Sequence, residues 1–269
     1  MVKVALVVSI IALAVCLLTA DIAARTPQVR FGEMPLRKWV HHSIVVELIR
    51  PILWLMPVLI LLVLEPHMSG TILILAGAAA VLFAAGIKLY WFAGGGAALM
   101  GLVVLMMSGY QSTRILVWQD PWAYPRDGGY QIIQSLYAIG SGGLLGLGLG
   151  KSRQKFLYLP EPENDFIFAI VCEELGLIGA GIVLILFALL VMRGYWIAIH
   201  ARDRFGALLV VGITTLTAVQ VFLNISVVTN LIPTTGISLP FFSYGGTALM
   251  IQLAEMGIIL SVSRQIPAP

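Results

Sequence analysis

Long apolar stretches separated by polar connections make up most of this chain. A membrane-spanning helix needs about 20 mostly apolar residues, and several segments approach that length. They cover residues 2–20, 44–64, 70–87, 91–109, 166–192, 207–230 and 244–262. The pattern predicts an all-α polytopic membrane protein with about seven transmembrane helices, which form a single membrane domain over residues 1–269.

One polar stretch is much longer than the others. Residues 110–165 separate the fourth and fifth apolar segments and alternate charged with aromatic side chains. An ordinary connection between helices is far shorter, and long structured loops usually carry function. We therefore predict a large loop on one side of the membrane, and a simple soluble cap is the alternative interpretation.

The composition and charge of the chain fit a protein embedded in a lipid bilayer. Hydrophobic residues make up 59% of the chain and charged residues 11%, with a mean hydropathy of +0.98. If all seven segments span, the basic residues gather on one side, which the positive-inside rule places in the cytoplasm. The basic residues concerned are Arg25, Arg30, Arg37, Lys38, Arg50, Lys88, Arg193, Arg202, Arg204 and Arg264. The 110–165 loop is then extracytoplasmic and the C-terminus cytoplasmic.

The first segment also resembles a signal peptide, because Lys3 precedes an apolar run that ends in small residues. Cleavage there would place the basic 21–50 segment outside, against the charge rule. We therefore interpret residues 2–20 as a transmembrane helix.

The glycine-rich run GSGGLLGLGLGKS (140–152) resembles a phosphate-binding loop. The GxxxxGK[ST] pattern needs glycine at position 145, where this chain has Leu145, and the run does not follow a predicted strand. We interpret these glycines as positions of close backbone packing or sharp turns.

Other polar and reactive residues favour structural roles. Cys16 and Cys172 lie inside apolar segments, so neither a disulfide framework nor a metal cluster is predicted. Glu65 and His67 would fit part of a metal-binding site or a proton-transfer site, but two residues are too few to predict a bound metal. Lys3 and Glu255 are expected to form structural ion pairs.

Asp165 stands at the start of the fifth apolar segment, where it is either a helix N-cap or a site residue. Glu173 and Glu174 would lie about 12–14 Å deeper in a regular helix, and acidic groups at that depth must face protein or water. At about 100° per residue, Glu173 is about 80° from Asp165 and Glu174 is roughly opposite. Glu173 is therefore predicted to share a cavity with Asp165, and Glu174 to pair within the bundle.

The long loop also carries basic side chains. Arginine and lysine beside an interfacial aromatic surface suit a lipid that bears phosphates. The candidates are Arg114, Lys151, Arg153 and Lys155. A second extracytoplasmic segment, IPTTGISLPFFSYGG (232–246), contains two prolines and a Gly-Gly pair. Such non-helical backbone is tolerated where it lines a cavity.

These motifs resemble the SEDS family (shape, elongation, division and sporulation) of membrane-embedded peptidoglycan glycosyltransferases, and its FtsW and SpoVE branch more than the RodA branch. The matching motifs occur in the family's order and are GYQIIQSLYAIG (129–140), GLGKSRQK (148–155), YLPE (158–161), DFIFA (165–169), EELG (173–176) and PTTGISLPFFSYGG (233–246).

The resemblance implies that the chain corresponds to the C-terminal part of a ten-helix fold. MVKVA (1–5) resembles the second half of a family pattern that precedes the fourth helix, so three further spans are expected upstream. EPHMSG (65–70) stands where the family commonly has Gln-Pro-Asp-Leu-Gly.

The resemblance also implies an activity, which is the polymerisation of lipid II with release of undecaprenyl diphosphate in the bacterial cytoplasmic membrane. Asp165 would be the general base of an inverting transfer. The residues implied to bind substrate are Arg114, Lys151, Arg153, Lys155, Glu173 and Ser243.

The implied partners are a class B penicillin-binding protein, which is a transpeptidase, and division or sporulation proteins. No cofactor motif and no nucleic-acid partner are predicted, and a divalent cation at the diphosphate is left open. Two other function classes stay open at this point. One is a flippase or transporter of a lipid-linked precursor, and the other is an inactive scaffold that binds a division partner.

Overall fold

A computed structural model describes residues 2–25, 53, 56, 68–88, 90, 92, 109–126, 129–155 and 163–266. All regular secondary structure in these ranges is helical, which confirms the predicted fold class. The helices are α1 (Val2–Arg25), α2 (Met68–Ala84), α3 (Gly109–Gln119), α4 (Gly129–Gly142), α5 (Ile167–His200), α6 (Arg204–Val228) and α7 (Gly246–Ser263).

Five of these helices, α1, α2, α5, α6 and α7, coincide with predicted spans. Within the described part of the chain, α5, α6 and α7 are long and apolar enough to cross a membrane. The predicted spans at 44–64 and 91–109 lie almost entirely outside the described residues, as do Glu65, His67 and the side chain of Lys3.

Helix α6 is the centre of the bundle. Its most apolar stretch is 61% buried, against 22% for the corresponding stretches of α5 and α7. Small residues bring α1 and α2 close to it, since a Cβ at Gly77 would lie 2.6 Å from a methyl carbon of Leu216. A Cβ at Gly212 would similarly lie 3.0 Å from the Cys16 sulfur. Close approach at small residues is the usual packing mode of membrane helices.

Helix α5 has 34 residues and is interrupted at Gly176, whose φ of 66° and ψ of −170° are not helical. Residues 167–175 are all buried or half-buried. Large exposed apolar side chains begin directly after the break and continue to its far end. They are Leu177, Ile178, Ile182, Leu184, Ile185, Leu186, Leu189, Leu190, Met192, Trp196 and Ile199.

The part of α5 from Gly176 to His200 is about 37 Å long at a helical rise of about 1.5 Å per residue, which is enough to cross a bilayer. Exposed apolar side chains along this length are typical of a helix that faces lipid. Residues 167–175, here called the outer segment of α5, pack against protein and include Glu173 and Glu174. The depth of these two carboxylates in the membrane stays a prediction.

Helices α3 and α4 lie inside the long 110–165 loop, where the sequence analysis predicted no helix. Helix α4 packs against α5 and buries Ile132, Ile133 and Ala138. Its Ser135 hydroxyl, which is also buried, donates a hydrogen bond of 2.8 Å to the Val228 carbonyl at the end of α6. The loop is therefore a helical layer fixed to the ends of α5 and α6.

Candidate functional site

Asp165 lies in the turn 163–166 that leads into α5. The N-cap of α5 is Phe166, so the N-cap interpretation of Asp165 is wrong. The Asp165 carbonyl accepts a hydrogen bond of 2.8 Å from the side-chain amide of Asn224, which fixes the turn to α6. Asp165 itself is half-buried.

The segment 231–245, here called the proline loop, approaches the Asp165 carboxylate at Gly236. A Cβ at Gly236 would lie 3.5 Å from Asp165 Oδ2. Gly236 also has a φ of +72°, a left-handed conformation that favours glycine. The glycine therefore lets the loop backbone pass directly beside the carboxylate.

Two amide side chains of α6 hold the proline loop in this position. Asn224 is fully buried, and the amide group that binds Asp165 also donates to the Ile237 carbonyl at 2.6 Å. Gln220, one turn earlier, donates to the Ser238 carbonyl at 3.0 Å. A single buried amide thus joins the turn of Asp165 to the loop that borders it.

Ser243 provides a second connection between these segments. Its hydroxyl donates to the Asn164 carbonyl at 2.7 Å and accepts from the Leu239 amide at 2.7 Å. The next amide, that of Tyr244, donates to the Glu163 carbonyl at 2.7 Å. Ser243 was predicted to bind substrate, and the structure gives its hydroxyl two protein partners that hold the proline loop beside Asp165.

Arg114 reaches the same loop from α3. Its guanidinium donates to the Thr234 carbonyl at 3.0 Å, two residues from Gly236. Trp118, one turn further along α3, donates through its indole N–H to the Asn230 carbonyl at 3.1 Å. The structure therefore brings the predicted cation Arg114 and the predicted base Asp165 to the same loop.

The other three predicted cations lie on residues 147–155, here called the cation loop. The side chains of Lys151, Arg153 and Lys155 are exposed. The loop is anchored to the outer segment of α5 through Glu173, which is 1% exposed. This places a buried carboxylate directly behind a positively charged surface.

Both carboxylate oxygens of Glu173 accept hydrogen bonds. Oε1 accepts from the Arg153 amide at 3.1 Å and from the Ser141 hydroxyl at 3.4 Å. Oε2 accepts from the Ser152 hydroxyl and from the Gln154 amide, the latter at 3.4 Å. These partners belong to α4 and the cation loop, so the structure ties Glu173 to the predicted cations rather than to Asp165.

Glu174 also faces this loop, because its Oε1 accepts from the Ser152 amide at 3.4 Å. It was predicted to pair within the helix bundle, and that prediction is wrong. The two neighbouring carboxylates hold the same stretch of backbone.

The break in α5 is filled by the glycine-rich run. The carbonyls of Glu173 and Glu174 accept from the amides of residues 147 and 148, each at 3.0 Å. The amides of Leu177 and Ile178 donate in return to the carbonyls of residues 143 and 144, at 2.9 and 3.2 Å. Two helical hydrogen bonds are thus exchanged for four bonds to the loop. We call this arrangement the α5 joint.

Glycines are required at the α5 joint because the backbones nearly touch. A Cβ would lie 2.0 Å from the Cys172 carbonyl oxygen at Gly142, and 2.2 Å from the Glu174 carbonyl oxygen at Gly146. The interpretation as close-packing positions is confirmed at Gly142 and Gly146.

Several positioning residues were missed in the sequence analysis. Gln220 and Asn224 are polar amides one turn apart in an otherwise apolar helix, and this spacing is the signal that would have found them. Trp118 is one of the aromatic side chains of the 110–165 stretch, and its bond to the proline loop was not predicted. Among the described residues, no group of three or more His, Cys, Asp or Glu side chains is placed to hold a metal ion.

Comparisons with known proteins agree with this architecture. Residues 5–267 match the family model of the FtsW, RodA and SpoVE cell cycle proteins. The chain is 49% identical to the stage V sporulation protein E of Bacillus subtilis (strain 168) over 207 residues, covering 76% of this chain and 57% of that protein. It is 44% identical over 216 residues to a probable peptidoglycan glycosyltransferase FtsW of Geobacter sp. (strain M18), covering 79% of this chain and 59% of that protein.

A solved structure has the same fold. A chain in a peptidoglycan synthase complex, described as coordinating polymerization and crosslinking, superposes with a TM-score of 0.68 at 26% identity. The match covers 99% of this chain and 84% of that one. The chain thus spans somewhat more than half the length of the two named relatives, and it belongs to the FtsW, RodA and SpoVE family of cell cycle proteins.

Proposed function

We propose that this protein is a peptidoglycan glycosyltransferase that polymerises lipid II, with Asp165 as the general base. The observation that carries the proposal is the position of Asp165. Its carboxylate lies beside Gly236, at an extracytoplasmic loop that is fixed on three sides by Asn224, Ser243 and Arg114. Rigid placement of a carboxylate at the mouth of a membrane helix suits proton transfer to a positioned group.

The proposed reaction needs an acceptor hydroxyl, a donor sugar and Asp165 as the base. The 4-hydroxyl of an acceptor GlcNAc attacks the anomeric carbon of a donor MurNAc and gives its proton to Asp165. The bond between that carbon and the diphosphate oxygen breaks, and undecaprenyl diphosphate leaves with inversion at the sugar. A carboxylate base at the incoming hydroxyl is what inverting sugar transfer requires.

The leaving diphosphate gains negative charge as the bond breaks. Positive groups placed where that charge develops lower the barrier. Lys151, Arg153 and Lys155 on the cation loop, with Arg114 beside the proline loop, are the groups that we assign to this role.

We also propose a partner and a location. The similar chain in the peptidoglycan synthase complex supports a class B penicillin-binding protein that crosslinks the nascent glycan. The similarity to sporulation and division proteins supports a role in one of those processes. The location that we propose is the bacterial cytoplasmic membrane, with the cation and proline loops outside and the C-terminus inside.

The test compares two carboxylates in the same turn. Asp165→Asn should abolish polymerisation of purified lipid II by the reconstituted chain, because loss of a general base costs about 10²–10⁴-fold in rate. Glu163→Gln is the matched control, since Glu163 is exposed and binds Tyr244 through its backbone carbonyl. This control should keep the wild-type rate.

Three results would contradict the proposal. The first is unchanged polymerisation by Asp165→Asn. The second is transport of lipid II across vesicles without any chain growth, which would identify a flippase. The third is a wild-type chain that binds lipid II but never elongates glycan, which would identify a scaffold.

A further inference from the structure

We propose that Glu173 is the positioning residue of the cation loop, holding its backbone on α5 so that three cationic side chains present a fixed surface to a lipid-linked diphosphate. The inference rests on the proposed function, because that function supplies the diphosphate. It assigns Glu173 a role through the loop and no contact with substrate.

The hydrogen bonds of Glu173 carry the first part of the argument. Four donors converge on one carboxylate that is 1% exposed, and three of them come from consecutive residues, 152–154. Burial of a carboxylate is costly unless hydrogen bonds replace its hydration. Because this requirement is met by the cation loop, the loop must stay docked for the carboxylate to remain stable in its buried position.

The chemical type of the groups that donate to Glu173 supports the second part of the proposal. Glu173 is held by hydroxyl and backbone N–H groups, and not by the ammonium or guanidinium groups of the same loop. Within the described part of the chain, none of Lys151, Arg153 and Lys155 forms an ion pair. The anchor therefore fixes the loop without neutralising its charges, which stay available to an anion.

The neighbouring carboxylate supplies a matched control. Glu173 uses both oxygens, so glutamine at this position would turn an N–H₂ group toward two donors. Glu174 accepts from the Ser152 amide through one oxygen, which the carbonyl of glutamine can replace. Glu173→Gln and Glu174→Gln remove the same charge from adjacent residues, and only the first should release the loop.

The binding experiment uses the full chain in lipid nanodiscs with undecaprenyl diphosphate as the probe. Glu173→Gln should weaken binding about tenfold, whereas Glu174→Gln should change it less than about twofold. Ser152→Ala, which removes one donor, is the milder variant if Glu173→Gln does not fold, and we expect about threefold weaker binding. Equal effects of the two glutamine variants, or wild-type binding by Ser152→Ala when Glu173→Gln is unfolded, would overturn the proposal.

A double-mutant cycle separates positioning from general damage. Replacing Lys151, Arg153 and Lys155 together by glutamine should weaken binding about tenfold in the wild-type background and less than about twofold in Glu173→Gln. Additive losses would overturn the proposal. The readout is binding of undecaprenyl diphosphate and not glycan polymerisation, so a failure of the proposed reaction leaves it interpretable.

Discussion

Replacement of Gly176 by alanine tests whether the α5 joint holds the helical layer of the 110–165 loop on α5. Gly176 has φ 66° and ψ −170°, a region essentially restricted to glycine, and a side chain there costs about 1–3 kcal/mol. The added Cβ would lie 2.3 Å from the Gly146 nitrogen and 2.6 Å from the Leu144 oxygen. These contacts are with backbone and cannot be relieved by a rotamer change, so the loop must separate from α5.

Separation breaks the four hydrogen bonds of the joint, each with a net contribution of about 1 kcal/mol. The expected loss of folding free energy is therefore about 5–7 kcal/mol. Gly181→Ala is the matched control in the same helix, because a Cβ there meets nothing within 4 Å. This control should leave stability unchanged or raise it by up to about 1 kcal/mol.

Two measurements check this prediction. Equilibrium unfolding in detergent gives the free-energy difference between the two variants. Amide hydrogen exchange reports on the joint itself, because the amides of residues 147, 148, 177 and 178 should lose protection in Gly176→Ala only. Equal stability of the two variants, with those four amides still protected, would refute the reasoning.

Three further substitutions test other contacts. Asn224→Leu removes the donor shared by two carbonyls and should cost about 2 kcal/mol, with a lower kcat and little change in KM, as measured by unfolding and by steady-state polymerisation. Gly236→Ala should cost about 1–2 kcal/mol through its left-handed φ, and kinetics should show a lower kcat because the Cβ contacts the Asp165 carboxylate. Gly77→Val should cost about 1–3 kcal/mol by overpacking against Leu216 and leave kcat unchanged, as checked by thermal melting and activity. A Gly77→Val variant as stable as wild type would contradict the packing described here.

Five of the predicted apolar segments coincide with helices of the structure, because a helix that faces lipid must be apolar over its whole length and this leaves a continuous signal in the sequence. Helices α3 and α4 were missed because they are short and lie in a polar stretch. Gly129, Ile132 and Ile133 stand at the i, i+3, i+4 spacing of one helix face, and this spacing was the available signal.

The site was only partly predictable. Asp165, Arg114 and the three lysine and arginine residues of the cation loop stand out by charge. Their arrangement depends on backbone groups, which carry no sequence signature: the partners of Glu173 include the amides of residues 153 and 154. The break at Gly176 was invisible for the same reason, since the segment that completes it lies about 30 residues upstream.

The α5 joint also has a consequence for how the chain enters the membrane. The polar groups that the break exposes at residues 173, 174, 177 and 178 are satisfied only by the segment 143–148, which precedes α5 in the chain. This segment is synthesised before α5 and stays on the same side of the membrane as the N-terminus of α5, so the joint can close as soon as α5 has been inserted. It needs no residue of α6 or α7, and the break in α5 can therefore be completed before those helices enter the membrane.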